Sequence, residues 1–191
     1  MLAISVLFLV GCNDSDGDVK KPKETAVTVT TGDCFEINKL KGEDGNEKFS
    51  YTVKTHDGTV IESAVCANEP KVKPLNDDLL GVRFYTATDS FVRYYDIKGG
   101  RVSASYFGAF WDNGELLAYN DFEASGKLIV RDIFDDNGYR YEKEITSDSL
   151  TLIVTKAEPT DDGETLVVKF KLGDHGAEKN VRLPLIEKSS D

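Results

Sequence analysis

Apolar and polar side chains alternate along most of this chain with a period of two residues. In the clearest runs, residues 49–53, 150–154 and 166–170, every second residue is apolar or aromatic. Successive side chains of a strand point to opposite faces, so this pattern predicts β-strands with one buried face. No stretch has the pattern of an amphipathic helix of three turns.

Turn signals that contain glycine separate these runs. They lie at Asp57-Gly58, Gly99-Gly100, Asn113-Gly114, Ser125-Gly126, Asn137-Gly138 and Asp162-Gly163. Such dipeptides supply the positive φ angles of tight hairpin turns. The strands are therefore expected to be mostly sequential and antiparallel.

A dozen strands follow from these two patterns. They are expected near residues 26–31, 48–55, 59–66, 80–87, 90–97, 101–108, 115–121, 127–134, 138–146, 149–156, 164–172 and 179–186. Residues 68–79 contain Pro70 and Pro74 and are expected to form a loop. The predicted fold class is all-β: an antiparallel meander in one domain, residues 26–187, forming a barrel or a strongly curled sandwich. The meander resembles lipocalin-like bacterial domains, without a signature motif that would assign residues.

The N-terminus begins with an apolar run, residues 2–10, that ends in Leu9-Val10-Gly11-Cys12. A membrane span needs roughly 20 apolar residues, whereas this run has the length of a signal-peptide core. The four residues resemble the lipobox of bacterial lipoproteins. The resemblance implies that residues 1–11 are a signal peptide and that Cys12 carries lipid. No basic residue precedes the apolar run, which an upstream start codon would explain.

The residues that follow Cys12 are almost entirely polar. Residues 12–25 are predicted to be a disordered tether, because they cannot bury enough apolar surface to order themselves. Residues 14–18 look like the start of a calcium loop, but Val19 and Thr25 occupy the positions that require glycine and glutamate. Asn13 is not the aspartate that marks inner-membrane retention in enteric-type lipoproteins, so the resemblance implies the outer membrane.

Two cysteines remain when Cys12 is assigned to lipid. Cys34 and Cys66 are expected to form a disulfide, because disulfides persist outside the cytoplasm. The chain-entropy model gives such a bridge roughly 3–4 kcal/mol. Only His56 lies between the two cysteines, which does not match the spacing of zinc ligands.

The chain is acidic, with a formal net charge of −11 at pH 7. Nucleic-acid binding depends on lysine and arginine side chains that neutralise phosphates. The largest basic cluster is Lys20-Lys21-Pro22-Lys23. DNA and RNA are therefore excluded as partners.

Aromatic residues are concentrated between Phe84 and Phe122, and several of them are adjacent pairs. Members of such a pair point to opposite faces of a strand, so a single buried face cannot hold both. The candidate binding residues are Tyr94, Tyr95, Tyr106, Phe110, Trp111 and Tyr119. They indicate either a binding surface or pocket, or an ordinary core with cross-strand aromatic pairs.

Catalytic signals are few. Neither the Gly-x-Ser-x-Gly elbow nor a phosphate-binding glycine motif occurs. The two histidines, His56 and His175, both lie in turn sequences. The sequence therefore predicts no cofactor, no metal and no catalytic residue.

The leading hypothesis is a non-catalytic envelope lipoprotein that binds a small apolar ligand, a glycan or another envelope protein. A first alternative is an envelope hydrolase with a carboxylate-based or calcium-assisted site. Its candidate carboxylates are Asp112, Glu115, Asp132, Asp135 and Asp136. A second alternative is a structural lipoprotein that docks through an exposed strand edge.

Overall fold

The computed structural model describes residues 25–41, 45–121, 126–145 and 151–186. This part of the chain contains strands and turns and has no helix, so no helix in it is long and apolar enough to cross a membrane. The predicted signal peptide, Cys12 and residues 13–24 of the predicted tether lie outside the described residues, as does Phe122.

The strands form four antiparallel sheets. Sheet I contains β1 (Thr25–Gly32), β2 (Phe35–Lys41), β3 (Glu47–Lys54) and β4 (Val60–Cys66). Sheet II contains β5 (Lys71–Asn76), β6 (Leu79–Tyr85), β7 (Ser90–Asp96), β8 (Arg101–Val102) and β9 (Tyr106–Phe107). Sheet III contains β10 (Ala109–Asp112), β11 (Leu116–Asp121), β12 (Lys127–Asp132) and β13 (Arg140–Glu144). Sheet IV contains β14 (Leu152–Pro159), β15 (Thr165–Leu172) and β16 (Lys179–Pro184).

The predicted all-β antiparallel meander is confirmed, because the strands in each sheet pair in chain order, with the one exception that β9 pairs with β7. The barrel is wrong: no closed barrel forms within the described ranges. The reason is that the hydrogen-bonded ladder stops three times, between β4 and β5, β9 and β10, and β13 and β14. The strands therefore divide into separate sheets.

Residues 68–79 are not the predicted loop, since they include β5. Pro74 is tolerated there because β5 is the edge strand of sheet II, where a missing N–H breaks no ladder on the open side. β2 and β10 also have no counterpart among the predicted strands. The predicted strand 101–108 is divided into β8 and β9, which both pair with β7.

The four sheets pack face to face in chain order, because each of three apolar clusters joins two neighbouring sheets. The first joins sheets I and II through Cys34, Ile37, Tyr51, Val53, Leu80, Val82, Phe84, Tyr95 and Ile97. The second joins sheets II and III through Leu79, Val92, Tyr94, Tyr106, Ala109, Leu117 and Ile133. The third joins sheets III and IV through Ala118, Leu128, Val130, Leu152, Leu166, Val168, Phe170, Leu183 and Leu185. Sheets II and III are consequently buried on both faces.

Three tyrosines of sheet II each donate a hydrogen bond to a neighbouring sheet or its turns. Tyr95 Oη donates to Glu62 Oε2 of sheet I at 2.6 Å. On the other face, Tyr94 Oη donates to Asp112 Oδ2 at 3.2 Å, and Tyr106 Oη donates to the carbonyl oxygen of Ile133 at 2.7 Å. Each phenol thus fills an apolar interface while its hydroxyl is satisfied.

Sheets II and III are joined by a strand that changes partner at Gly108. The residues before Gly108 pair with β7, and those after it pair with β11. Gly108 has φ of 62°, which an L side chain rarely adopts. Arg83 Nη2 donates to the carbonyl oxygen of Ala109 at 3.0 Å, so β10 lies against β6 of sheet II.

The predicted disulfide is wrong, since Cys34 and Cys66 are both free. The backbone of Cys34 is hydrogen-bonded to Lys54, whereas Cys66 pairs with Phe49 on the other side of β3. Five positions of a strand span about 16 Å. The Cα atoms of a disulfide lie within about 7 Å of each other. The register of sheet I therefore prevents the bridge.

We expect both thiols to be found reduced and separate. Full unfolding in the presence of an alkylating reagent, without any reductant, should modify Cys34 and Cys66 completely. Peptide mass spectrometry measures the result. A Cys34–Cys66 linked peptide recovered from protein that was never exposed to an oxidant would contradict this register.

Replacing Tyr95 by alanine should lower the free energy of unfolding by about 3–5 kcal/mol, because it opens a cavity between sheets I and II. Phe107 is a matched control, as it is 44% exposed while Tyr95 is 0% exposed. Phe107→Ala should cost less than about 1 kcal/mol. Chemical denaturation measures both, and equal losses would contradict the burial of Tyr95.

Candidate functional site

Three of the six predicted binding residues belong to the interior. Tyr94, Tyr95 and Tyr106 are 1%, 0% and 4% exposed. The expected exposed aromatic platform is therefore not formed by these rings. The physical reason is that sheet II has two buried faces, so both members of the Tyr94-Tyr95 pair are covered.

The other three predicted binding residues are half-buried. The ring of Tyr119 lies 5.5 Å from that of Tyr106, in the interface between sheets II and III. Phe110 and Trp111 lie on β10 and pack against the cluster between sheets III and IV. Phe110 and Trp111 also border a cleft, which makes them the predicted residues that remain accessible to a ligand.

This cleft, called the basic-aromatic cleft below, opens between β10 and the face of sheet II that is turned toward sheet III. Its volume is about 310 Å³. It is lined by Lys71, Lys73, Gly81, Arg83, Tyr85, Val92, Phe110, Trp111 and Asp112. All of these residues come from strands that the two sheets hold in place.

The alternation of β5 and β6 places the cations side by side. Lys71 pairs with Arg83 and Lys73 pairs with Gly81, so the four residues lie on one face of sheet II. Gly81 contributes no side chain to this face. A Cβ atom there would lie 3.4 Å from the ring of Tyr94 and occupy the floor of the cleft.

Three cations and one carboxylate line the cleft, and Glu69 pairs with one of the cations, Lys71, which leaves a surplus of one positive charge there. Lys73 Nζ lies 3.1 Å from Asp112 Oδ1, and Asp112 also accepts the hydroxyl of Tyr94. Burial, together with the charge of Asp112, raises the pKa of Tyr94, so its hydroxyl remains a donor.

Arg83 is fixed within the wall of the cleft. Its Nη1 donates to Ser90 Oγ at 3.2 Å, and its Nη2 donates to the backbone of β10. Lys71 is less constrained than Arg83, since its side chain is 63% exposed and its ammonium group pairs with Glu69, at 3.3 Å at the surface. The cleft therefore offers one oriented guanidinium and two adjustable ammonium groups.

The carboxylates of the hydrolase hypothesis divide between two places. Asp112 lies in the basic-aromatic cleft, whereas Glu115, Asp132 and Asp136 line a separate cavity of about 290 Å³. Asp136 accepts hydrogen bonds from both Nη atoms of Arg101, at 2.8 and 3.1 Å.

The remaining carboxylates of that hypothesis are held by nearby donors. Asp132 Oδ2 accepts two backbone N–H groups, from Asn137 and Tyr139. Asp135 is paired with Arg131 at 2.7 Å. Within the described ranges no group of three potential metal ligands converges. The hydrolase hypothesis stays a prediction.

One group of neighbouring reactive side chains is not apparent from the sequence, because Cys34 is expected there to form a disulfide. Cys34 Sγ lies 3.6 Å from His56 Nδ1, and His56 Nε2 lies 3.1 Å from Asp78 Oδ1. The three residues come from three different turns. No local motif could have revealed them, although His56 is one of only two histidines in the chain.

Comparisons with known proteins add little to this description. No protein-family model and no curated protein matches the chain. A crystal structure of an uncharacterized protein, lmo1340 of Listeria monocytogenes, is similar over 83% of this chain, with 15% sequence identity and a TM-score of 0.36. This chain covers 53% of that protein, or about half of its length.

Proposed function

We propose that this chain is a lipid-anchored protein of the bacterial outer membrane, facing the periplasm or the cell surface, and that its basic-aromatic cleft binds an anionic saccharide without catalysis. The observation that carries the proposal is a cationic cleft, with Trp111 in its wall, in a chain of net charge −11. The lipid on Cys12 supplies the attachment to the membrane.

The charge of the cleft favours an anionic ligand. An acidic protein repels anions over most of its surface, so a local surplus of positive charge is a selective point of attraction. The planar guanidinium of Arg83 suits a carboxylate or another planar anion. Lys71 and Lys73 are exposed enough to approach the ligand as it enters.

The rings of the cleft favour a saccharide among the anionic ligands. Trp111 is half-buried and Tyr85 is 42% exposed, so both present an apolar surface beside polar groups. A sugar ring has an apolar C–H face and a rim of hydroxyl groups that match this arrangement. The volume of about 310 Å³ suits one or two sugar units.

The membrane attachment rests on the N-terminal sequence. Residues 2–10 have the length of a signal-peptide core, and Leu9-Val10-Gly11-Cys12 resembles the lipobox. Acyl chains on one cysteine would hold the protein stably at a membrane.

Binding can be measured through Trp111, because it is the only tryptophan of the chain. Titration with an oligogalacturonate should change its fluorescence, whereas a neutral oligosaccharide of equal length should not. The combined variant Lys71→Ala and Lys73→Ala should weaken binding about 10- to 100-fold, because two charge-assisted contacts are lost. Raising the salt concentration should weaken binding of the unmodified chain in the same direction.

Lys48 is a matched control, since it is an exposed lysine of sheet I that does not line the cleft. Lys48→Ala should bind like the unmodified chain. Trp111→Ala, followed by calorimetry, should also lose affinity. Equal affinity of the Lys71/Lys73 and Lys48 variants, or binding of the neutral sugar alone, would contradict an anion-binding cleft.

The lipid anchor is tested separately from the cleft. Mass spectrometry of the chain from its native host should find Cys12 as the acylated N-terminal residue. Cys12→Ser should move the protein from the membrane fraction to the soluble fraction. An unmodified Cys12 in the native host would overturn the anchor and leave the test of the cleft unaffected.

A further inference from the structure

Three turns place a thiol, an imidazole and a carboxylate in sequential contact at one end of sheets I and II. Cys34 lies in the turn before β2, His56 in the turn after β3, and Asp78 in the turn before β6. Ile97 fixes two of these turns. Its N–H donates to the carbonyl oxygen of Asp78 at 2.9 Å, and its carbonyl oxygen accepts the N–H of His56 at 3.2 Å.

The order of the three groups is that of a nucleophile, a base and a residue that orients the base. Asp78 lies at Nε2 of His56, where a carboxylate favours the tautomer with its proton on Nε2. That tautomer leaves Nδ1, at 3.6 Å from Cys34 Sγ, free to accept the thiol proton. Lys98 Nζ lies on the far side of Asp78, at 3.8 Å from Oδ2.

We propose that Cys34 is a peroxide-reactive thiol that is activated by His56, with Asp78 as a positioning residue. Cys34 is 5% exposed, and its neighbour His56, but not Cys34 itself, lines a cavity of about 390 Å³ together with Ile97. Only a small co-reactant suits such a buried sulfur. Hydrogen peroxide and small alkyl hydroperoxides have that size.

The reaction balances with the peroxide as the oxidant. His56 Nδ1 takes the thiol proton, and the sulfur attacks one oxygen of the peroxide. An S–O bond forms while the O–O bond breaks, and the leaving oxygen takes the proton from His56 as water or an alcohol. Cys34 is oxidised to the sulfenic acid and the peroxide is reduced.

Cys66 is the internal comparison, because it is more exposed than Cys34 but has no imidazole beside it. Its thiol donates to the carbonyl oxygens of Phe49 and Asn68, at 3.5 and 3.1 Å. Burial raises the pKa of both thiols, so neither is ionised at neutral pH without a base. Exposure alone would make Cys66 the faster thiol. Activation by His56 would reverse that order.

The groups around His56 define the expected effect of pH. Asp78 and Lys98 lie on one side, Asp57 belongs to the same turn, and Asp33 is adjacent to Cys34. A protonated imidazole cannot accept the thiol proton, so acidifying the solution should slow the reaction of Cys34. Without His56 the thiol must ionise unaided, and burial raises its pKa, so reactivity should rise only in alkaline solution.

The test exposes the full, reduced chain to hydrogen peroxide, traps sulfenic acid with dimedone and quantifies each cysteine by peptide mass spectrometry. Cys34 should react at least about tenfold faster than Cys66 at pH 7.5. His56→Gln should slow Cys34 by about tenfold or more and remove the decline at low pH. Asp78→Asn should give a smaller loss.

His175→Gln is the matched control, since it replaces the other histidine of the chain and should leave the rate unchanged. The side chain of His56 is 51% exposed, so His56→Gln should keep the fold, as circular dichroism would verify. The proposal is overturned if Cys34 reacts no faster than Cys66. It is equally overturned if His56→Gln matches the unmodified chain in rate and pH profile.

Discussion

Burial of sheet II on both faces is the constraint on which the rest of the molecule depends. Neighbouring residues of β7 serve different interfaces: Tyr94 packs toward sheet III, and Tyr95 packs toward sheet I. Turning either ring outward would leave a cavity in an apolar interface. The phenol hydroxyls then require partners, and they find them on Glu62 and Asp112. Sheet II thereby determines how sheets I and III are placed.

Much of the local structure could be predicted from the alternation of residue types. The runs at β3, β14 and β15 and the glycine turns between strands indicated an antiparallel meander, because side-chain direction and turn geometry are local properties. β5 is not predicted, because Pro70 and Pro74 are typical of a loop. An edge position, which makes Pro74 acceptable, depends on the neighbouring strands and is not visible locally.

The division into stacked sheets could not be predicted, because it depends on contacts between residues far apart in sequence. The adjacent pair Tyr94-Tyr95 is compatible with a sheet that is covered on both faces. Two large rings in succession within a strand require two covered faces, and an exposed face was only one interpretation of that requirement. The separation of Cys34 from Cys66 also depends on contacts between distant residues, because it follows from the register of β3. The compartment predicted for the protein would by itself favour a disulfide between them.

The candidate site was predictable in part. Phe110 and Trp111 were identified from their position before a turn, and both border the basic-aromatic cleft. Lys71 and Lys73 lie in the segment that the prolines predict to be a loop. The sequence therefore gives no reason to place these cations beside Phe110 and Trp111. Cys34, His56 and Asp78 come together only because the backbone of Ile97 holds two of their turns.

The two interfaces of sheet II differ in how firmly their carboxylates are held. Glu62 accepts hydrogen bonds from Tyr51, Tyr95 and Arg93. The interface between sheets I and II therefore contains a hydrogen-bonded polar network. Asp112 accepts the hydroxyl of Tyr94 and a lysine, Lys73, whose side chain is 67% exposed. An exposed ion pair of this kind contributes at most about 1 kcal/mol. The anion of the proposed function would therefore draw Lys73 away at little cost, while Tyr94 keeps Asp112 in place. The interface between sheets II and III suits reversible binding of the proposed ligand. Its Lys73–Asp112 ion pair can be exchanged without breaking the Tyr94–Asp112 hydrogen bond, which holds the two sheets together.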